Sequence, residues 1–156
     1  MKKLIIVLSI VFTSFINAQT SGLMPDIMPD IEQLYLKLKQ NDDDLFEVNK
    51  QLIISGKDPS HLISNLRLTI EPHIDHLEKM RIHIKYFEKS WTSKCGEVGA
   101  MAGMEVLLSK INYLSFQTGD ADLIKSTFIS YANPSEKVLF LQTARTLEEI
   151  ASELEK

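Results

Sequence analysis

The chain has 156 residues, with 17 Lys and Arg against 21 Asp and Glu and a formal charge of −4. An acidic balance without a dense Lys/Arg face argues against nucleic acid and against anionic lipid as partners. Cys95 is the only cysteine, so no internal disulfide can form and packing must hold the fold. A buried free thiol is the expected state of Cys95, rather than an intermolecular bridge.

At the N-terminus Lys2 and Lys3 precede a mainly apolar run from Leu4 to Phe12, and a more polar stretch leads to Ala18 and Gln19. A basic start, a short apolar segment and a small residue at the boundary predict a signal peptide over residues 1–18. The run is shorter than the roughly 20 apolar residues that span a bilayer, which disfavours an uncleaved anchor. No cysteine lies near the boundary, which disfavours a lipid anchor. Cleavage after Ala18 would remove Lys2 and Lys3 and no acid, leaving 138 residues with 15 basic against 21 acidic groups, a formal −6. That length suits one domain with a single core. The expected destination is the periplasm or the exterior, with no stable membrane anchor after cleavage.

Residues 19–29 form an irregular lead-in with a short echo, Leu23-Met24-Pro25-Asp26 followed by Ile27-Met28-Pro29-Asp30. Two prolines four apart exclude a regular helix there. The helical domain is expected over residues 30–156, with Asp30, or less well Asp26, capping its first helix.

Ile31, Leu38, Leu45 and Leu52 recur every seven residues, with Leu34, Tyr35 and Val48 beside them, which predicts one helical stripe. The run Asn41-Asp42-Asp43-Asp44 interrupts it; one long helix carrying these residues outward and ending near Gly56 is preferred over a break. Asp58-Pro59 reads as a cap followed by proline at the first helical position. The next helix holds Leu62, Ile63, Leu66 and Ile70, and Pro72 either kinks it or opens another. Ile74, Leu77, Ile84, Phe87 and Trp91 face inward up to about Lys94, and Gly96 punctuates.

Residues 97–117 predict a further helix, Thr118-Gly119-Asp120 a turn, and Asp120 a cap for a short helix with Leu123, Ile124, Phe128 and Tyr131. Asn133-Pro134-Ser135-Glu136 has the pattern of a capping box. It opens a last helix with Phe140, Ala144, Leu147, Ala151 and Leu154 inward. No stretch alternates as a strand would. The expected fold is all-α: a compact bundle of five or six amphipathic helices after the signal peptide.

His73, His76, Met80 and His83 fall on one side of one helix. Imidazole and thioether are copper ligands, and imidazole also serves zinc, so these four residues are the candidate metal face. His76 and His83 stand two turns apart, about 10 Å along the axis, too far to share one ion. Further ligands would come from Cys95, Met101 or Met104. The plainer reading places His73 in the core with a satisfied hydrogen bond and His76 and His83 at its edge, or makes the three a pH-sensitive surface.

Gly99, Ala100 and Gly103 share a second helix face, which predicts either close approach of a neighbouring helix or a shallow groove for a partner. Asp42, Asp43 and Asp44 lack the glycine and terminal glutamate of a calcium loop. No zinc-protease, nucleophile-elbow, phosphate-loop or haem-attachment motif is present. We therefore expect a non-enzymatic exported factor that binds a protein partner, for example as an envelope accessory. The alternative is a bundle that binds a small molecule, copper or zinc through its His/Met face.

Overall fold

The computed structural model describes residues 28–92, 96–117 and 119–156. The predicted signal peptide, nearly all of the lead-in, and Cys95 lie outside the described residues. Among these residues the fold is all-helical: α1 (Glu32–Ile54), α2 (His61–Thr92), α3 (Gly96–Phe116), α4 (Asp120–Leu123), a π-helical turn (Ile124–Phe128), α5 (Ile129–Tyr131) and α6 (Pro134–Glu155). Four of these helices are long, and residues 120–131 make a short composite segment.

The chain packs as two units. The larger comprises Pro29–Lys79 and Ile111–Lys156; the smaller includes Met28 and Met80–Lys110 among the described residues. Both α2 and α3 contribute residues to each.

In the larger unit, α1 buries Ile31, Tyr35, Leu38 and Leu45, the stripe that its seven-residue spacing predicts. Asn41 lies three residues after Leu38 and four before Leu45, and it is buried with them. Its side chain donates to Thr146 Oγ1 at 3.1 Å and accepts from Gln142 Nε2 at 2.7 Å. Two surface contacts lie along the same seam: Lys37 pairs with Glu149, and the Asp30 amide donates to Glu153. Rising numbers on α1 meet falling numbers on α6, so the two helices run antiparallel. On its other side α1 meets α2 through Asn49 with Ser60 and Ser64, and through Asp42 with Arg67.

Several expected boundaries move. Asp30 does not cap α1: Ile31 holds that position with no side-chain cap, and the Asp30 amide is engaged with Glu153. The C-terminal end follows expectation. Gly56 takes φ +76°, and the amides of Gly56 and Lys57 close back onto the carbonyls of Ile53 and Leu52. This is the left-handed glycine termination that a β-carbon would strain.

Ser60, not Asp58, caps α2. Its hydroxyl faces the Ile63 amide at 3.4 Å, while its own amide is held by Asn49 Oδ1 at 2.9 Å. A contact from α1 thus sets where α2 begins, which local pattern alone does not show. Pro72 lies inside α2 and opens no new helix, which decides between the two expected alternatives in favour of one helix. Proline there withholds the amide that would bond the Leu68 carbonyl. Leu68 is exposed, so water can serve that group.

Asp120 is not a cap either. Gly119 stands in that place with φ +77°, and Asp120 lies in the first turn with its carboxylate directed elsewhere. Asn133 behaves as its motif predicts: its side chain accepts from the Glu136 amide at 2.9 Å, and Glu136 Oε2 accepts from the Asn133 amide at 3.0 Å. Helix α6 then buries Phe140, Ala144, Leu147, Ile150 and Leu154.

In the smaller unit, Phe87, Ala102 and Val106 are buried, with Met28, Ile84, Trp91 and Leu107 packed against them. The Phe87 and Trp91 rings lie 5.6 Å apart, one helical turn along α2.

Because the Asn133 box supplies two first-turn amides with acceptors, Asn133→Ala should lower unfolding free energy by about 0.5–2 kcal/mol. Urea denaturation followed by circular dichroism measures this. No change in midpoint would show that the box contributes nothing to stability.

Candidate functional site

The larger unit brings together three residues from three helices. His73 on α2 is 1% exposed, and Tyr113 on α3 is fully buried. Asp120, in the first turn of α4, keeps 22% of its side chain exposed. His73 Nδ1 lies 3.0 Å from the Tyr113 hydroxyl, and Nε2 lies 2.9 Å from Asp120 Oδ2. Both ring nitrogens are therefore occupied.

Proton accounting sets the direction of each bond. An ionised carboxylate only accepts, so Nε2 carries the proton that faces Asp120. The neutral ring then accepts at Nδ1, and the Tyr113 hydroxyl donates to it. Two protons serve two acceptors, in the order Tyr113 to His73 to Asp120.

Aromatic rings enclose the histidine. Tyr113 and Phe116 meet His73 edge-on, with centroids at 5.6 and 5.2 Å. His76, one turn along α2, lies tilted against Phe116 at 4.8 Å. Burial lowers the His73 pKa below the usual histidine value; the Asp120 hydrogen bond and charge oppose that effect, and nearby His76 adds to it. Burial, then the Asp120 charge, pushes the Tyr113 hydroxyl upward, so it stays protonated and able to donate.

The sequence-predicted metal face is distributed differently from a ligand cluster. His73 has no free ring nitrogen in this arrangement, and His76 is half-buried against Phe116. Met80 is fully buried and His83 half-buried, both among residues of the smaller unit. Met101 is exposed and Met104 half-buried. Among the described residues no three His, Cys, Asp or Glu side chains are grouped to hold a metal ion. In the smaller unit Gly99 and Gly103 are buried and Ala100 is half-buried.

Sequence inspection missed Tyr113 and Asp120. Tyr113 was hidden in an apolar helix, and Asp120 had a sufficient local explanation as a cap beside Gly119.

A second feature lies on the α1–α2 surface of the larger unit. Arg67 forms a two-pronged pair with Asp42, Nε to Oδ1 at 2.7 Å and a terminal nitrogen to Oδ2 at 3.0 Å. Hydrogen bonding to Asp42 raises the Arg67 pKa further above its already high value. The guanidinium also lies over the Phe46 ring at 5.0 Å. Beside it opens a cleft of about 610 Å³ lined by Asp42, Ser64, Arg67, Leu68, Glu71, Ile74 and Asp75.

Compared with protein-family models, curated proteins and solved structures, the chain shows no match.

Removing either end of the relay should destabilise the larger unit. Tyr113→Phe leaves Nδ1 buried without a donor, and Asp120→Ala leaves Nε2–H without its acceptor. Each should lose about 1–3 kcal/mol. Asp120→Asn should lose less, because its amide oxygen can still accept. Chemical denaturation of the three variants checks the order, and an Asp120→Ala protein as stable as the parent would contradict it.

Proposed function

We propose that the chain is an exported, non-enzymatic accessory factor that acts by binding a protein partner in the cell envelope or outside the cell. The N-terminal pattern over residues 1–18 supports export. The observation that carries the binding reading is the outer surface of α1 and the adjoining part of α2. There Phe46 is 50%, Ile53 59% and Leu68 65% exposed.

Phe46 and Ile53 stand seven residues apart on one face of α1. Arg67 joins this face to α2 by covering Phe46, and Leu68 continues it into the cleft. Aromatic and arginine side chains beside a concavity are the residue types that anchor protein interfaces. The Asp42 pair holds the Arg67 head in a fixed orientation, so this part of the surface is ordered before any partner arrives. Glu71 and Asp75 line the cleft, which favours a partner segment that presents apolar and basic groups together.

Two measurements test the proposal. Mass spectrometry of the exported protein should find Gln19 at its N-terminus; an intact Met1 on the exported material would contradict signal cleavage. Immobilised protein should retain one envelope or culture-supernatant protein in near-stoichiometric amount, identifiable by mass spectrometry. A Phe46→Glu, Leu68→Glu variant with an unchanged melting temperature should lose it. Equal retention by parent and variant would overturn the assignment of this surface.

A further inference from the structure

Helix α6 divides its surface charge along its length. The second half carries Glu148, Glu149 and Glu153, and each is engaged within the chain: Glu148 with Lys125, Glu149 with Lys37, and Glu153 with the Asp30 amide. The first half exposes Lys137, Val138, Leu141 and Arg145. At 100° per residue these four fall within an arc of about 100°, so they form one stripe. Among the described residues neither Lys137 nor Arg145 makes an ion pair. Helix stability does not account for the arrangement, because Lys137 stands near the N-terminal end, where the dipole disfavours a cation.

We propose that this basic and apolar stripe of one copy seats in the α1–α2 cleft of a second copy, so that the occupant of the cleft is the chain itself. The inference rests on the reading of that cleft as a protein interface and names what fills it.

The two surfaces complement each other in charge. The cleft sets three carboxylates, Asp42, Glu71 and Asp75, against the single guanidinium of Arg67. Asp42 and Arg67 satisfy one another at 2.7 and 3.0 Å, which leaves Glu71 and Asp75 as its excess charge. These two stand one turn apart on α2, a spacing at which like charges repel. Among the described residues neither makes an ion pair. Two incoming bases would relieve that repulsion, while exposed Leu68 beside them offers apolar contact to Val138 and Leu141.

The lengths agree as well. Leu68 to Asp75 covers about 10 Å of α2, and Lys137 to Arg145 covers about 12 Å of α6. A chain does not fill its own cleft, because Asn41, Gln142 and Thr146 fix α6 along α1 with the stripe still exposed. The contact joins unlike surfaces, so each copy offers one of each and association runs head to tail until the assembly closes.

Sedimentation velocity of the purified exported chain tests the contact. The parent should gain mass as its concentration rises from micromolar toward millimolar. Glu71→Lys with Asp75→Lys, and separately Lys137→Glu with Arg145→Glu, should each weaken that association roughly a hundredfold or more, since like charges then face each other. Mixed together, the two variants should associate again, and so should a chain carrying all four reversals. If a reversal does not fold, Val138→Glu on the exposed stripe supplies the check and should also stay monomeric. A parent that stays monomeric, reversals that leave its association unchanged, or a mixture that stays monomeric would overturn the proposal. A monomeric parent that still captures a different envelope protein through Phe46 and Leu68 would defeat this inference alone; one that captures nothing would defeat both.

Discussion

His73 has two ring nitrogens and almost no contact with water, so each nitrogen must find a protein partner where it lies. Tyr113 and Asp120 meet that demand from two different helices. This single requirement ties α2 to α3 and ties the start of α4 to α2. It also explains why Gly119 adopts a left-handed conformation just before Asp120. The turn needs a residue without a β-carbon, and the carboxylate that follows must be directed at the ring.

The same logic recurs on α1. Asn41 sits in an apolar stripe and would be unfavourable there alone, but Thr146 and Gln142 complete its hydrogen bonds. The partners fix how α1 lies along α6, because a shift of one turn would leave the amide unpaired. Among the described residues, no buried side-chain nitrogen or oxygen lacks a partner. Apolar burial supplies the bulk of the packing, and these two polar connections select one alignment. Their partners are spent inside the fold, whereas at the Phe46–Arg67–Leu68 surface exposed apolar area adjoins a cleft.

Helix content was legible because it rests on local rules. The Ile31–Leu38–Leu45 spacing, Gly56 after α1 and the Asn133–Glu136 box act within a turn or two of the residues that carry them. What was not legible depends on distant contacts. Asp58 and Asp120 look like caps, yet Asn49 from α1 places the start of α2 at Ser60, and His73 takes the Asp120 carboxylate. Pro72 is locally compatible with one helix or two, and the helix runs on through it. For the candidate site, helical spacing singled out His73 and His76 but could not supply Tyr113 and Asp120, which lie 40 and 47 residues further along the chain. Asn41 was the exception. Its position between Leu38 and Leu45 marks it as inward-facing, but the three aspartates after it draw the eye to a solvated run.

The central claim is that the fold holds a neutral His73 in one tautomer between a donor and an acceptor. Long-range proton–nitrogen NMR of the imidazoles at neutral pH observes this directly. The account predicts a proton on Nε2, a bare Nδ1 and a slowly exchanging Tyr113 hydroxyl proton. A proton on Nδ1, or a charged ring at neutral pH, would contradict it.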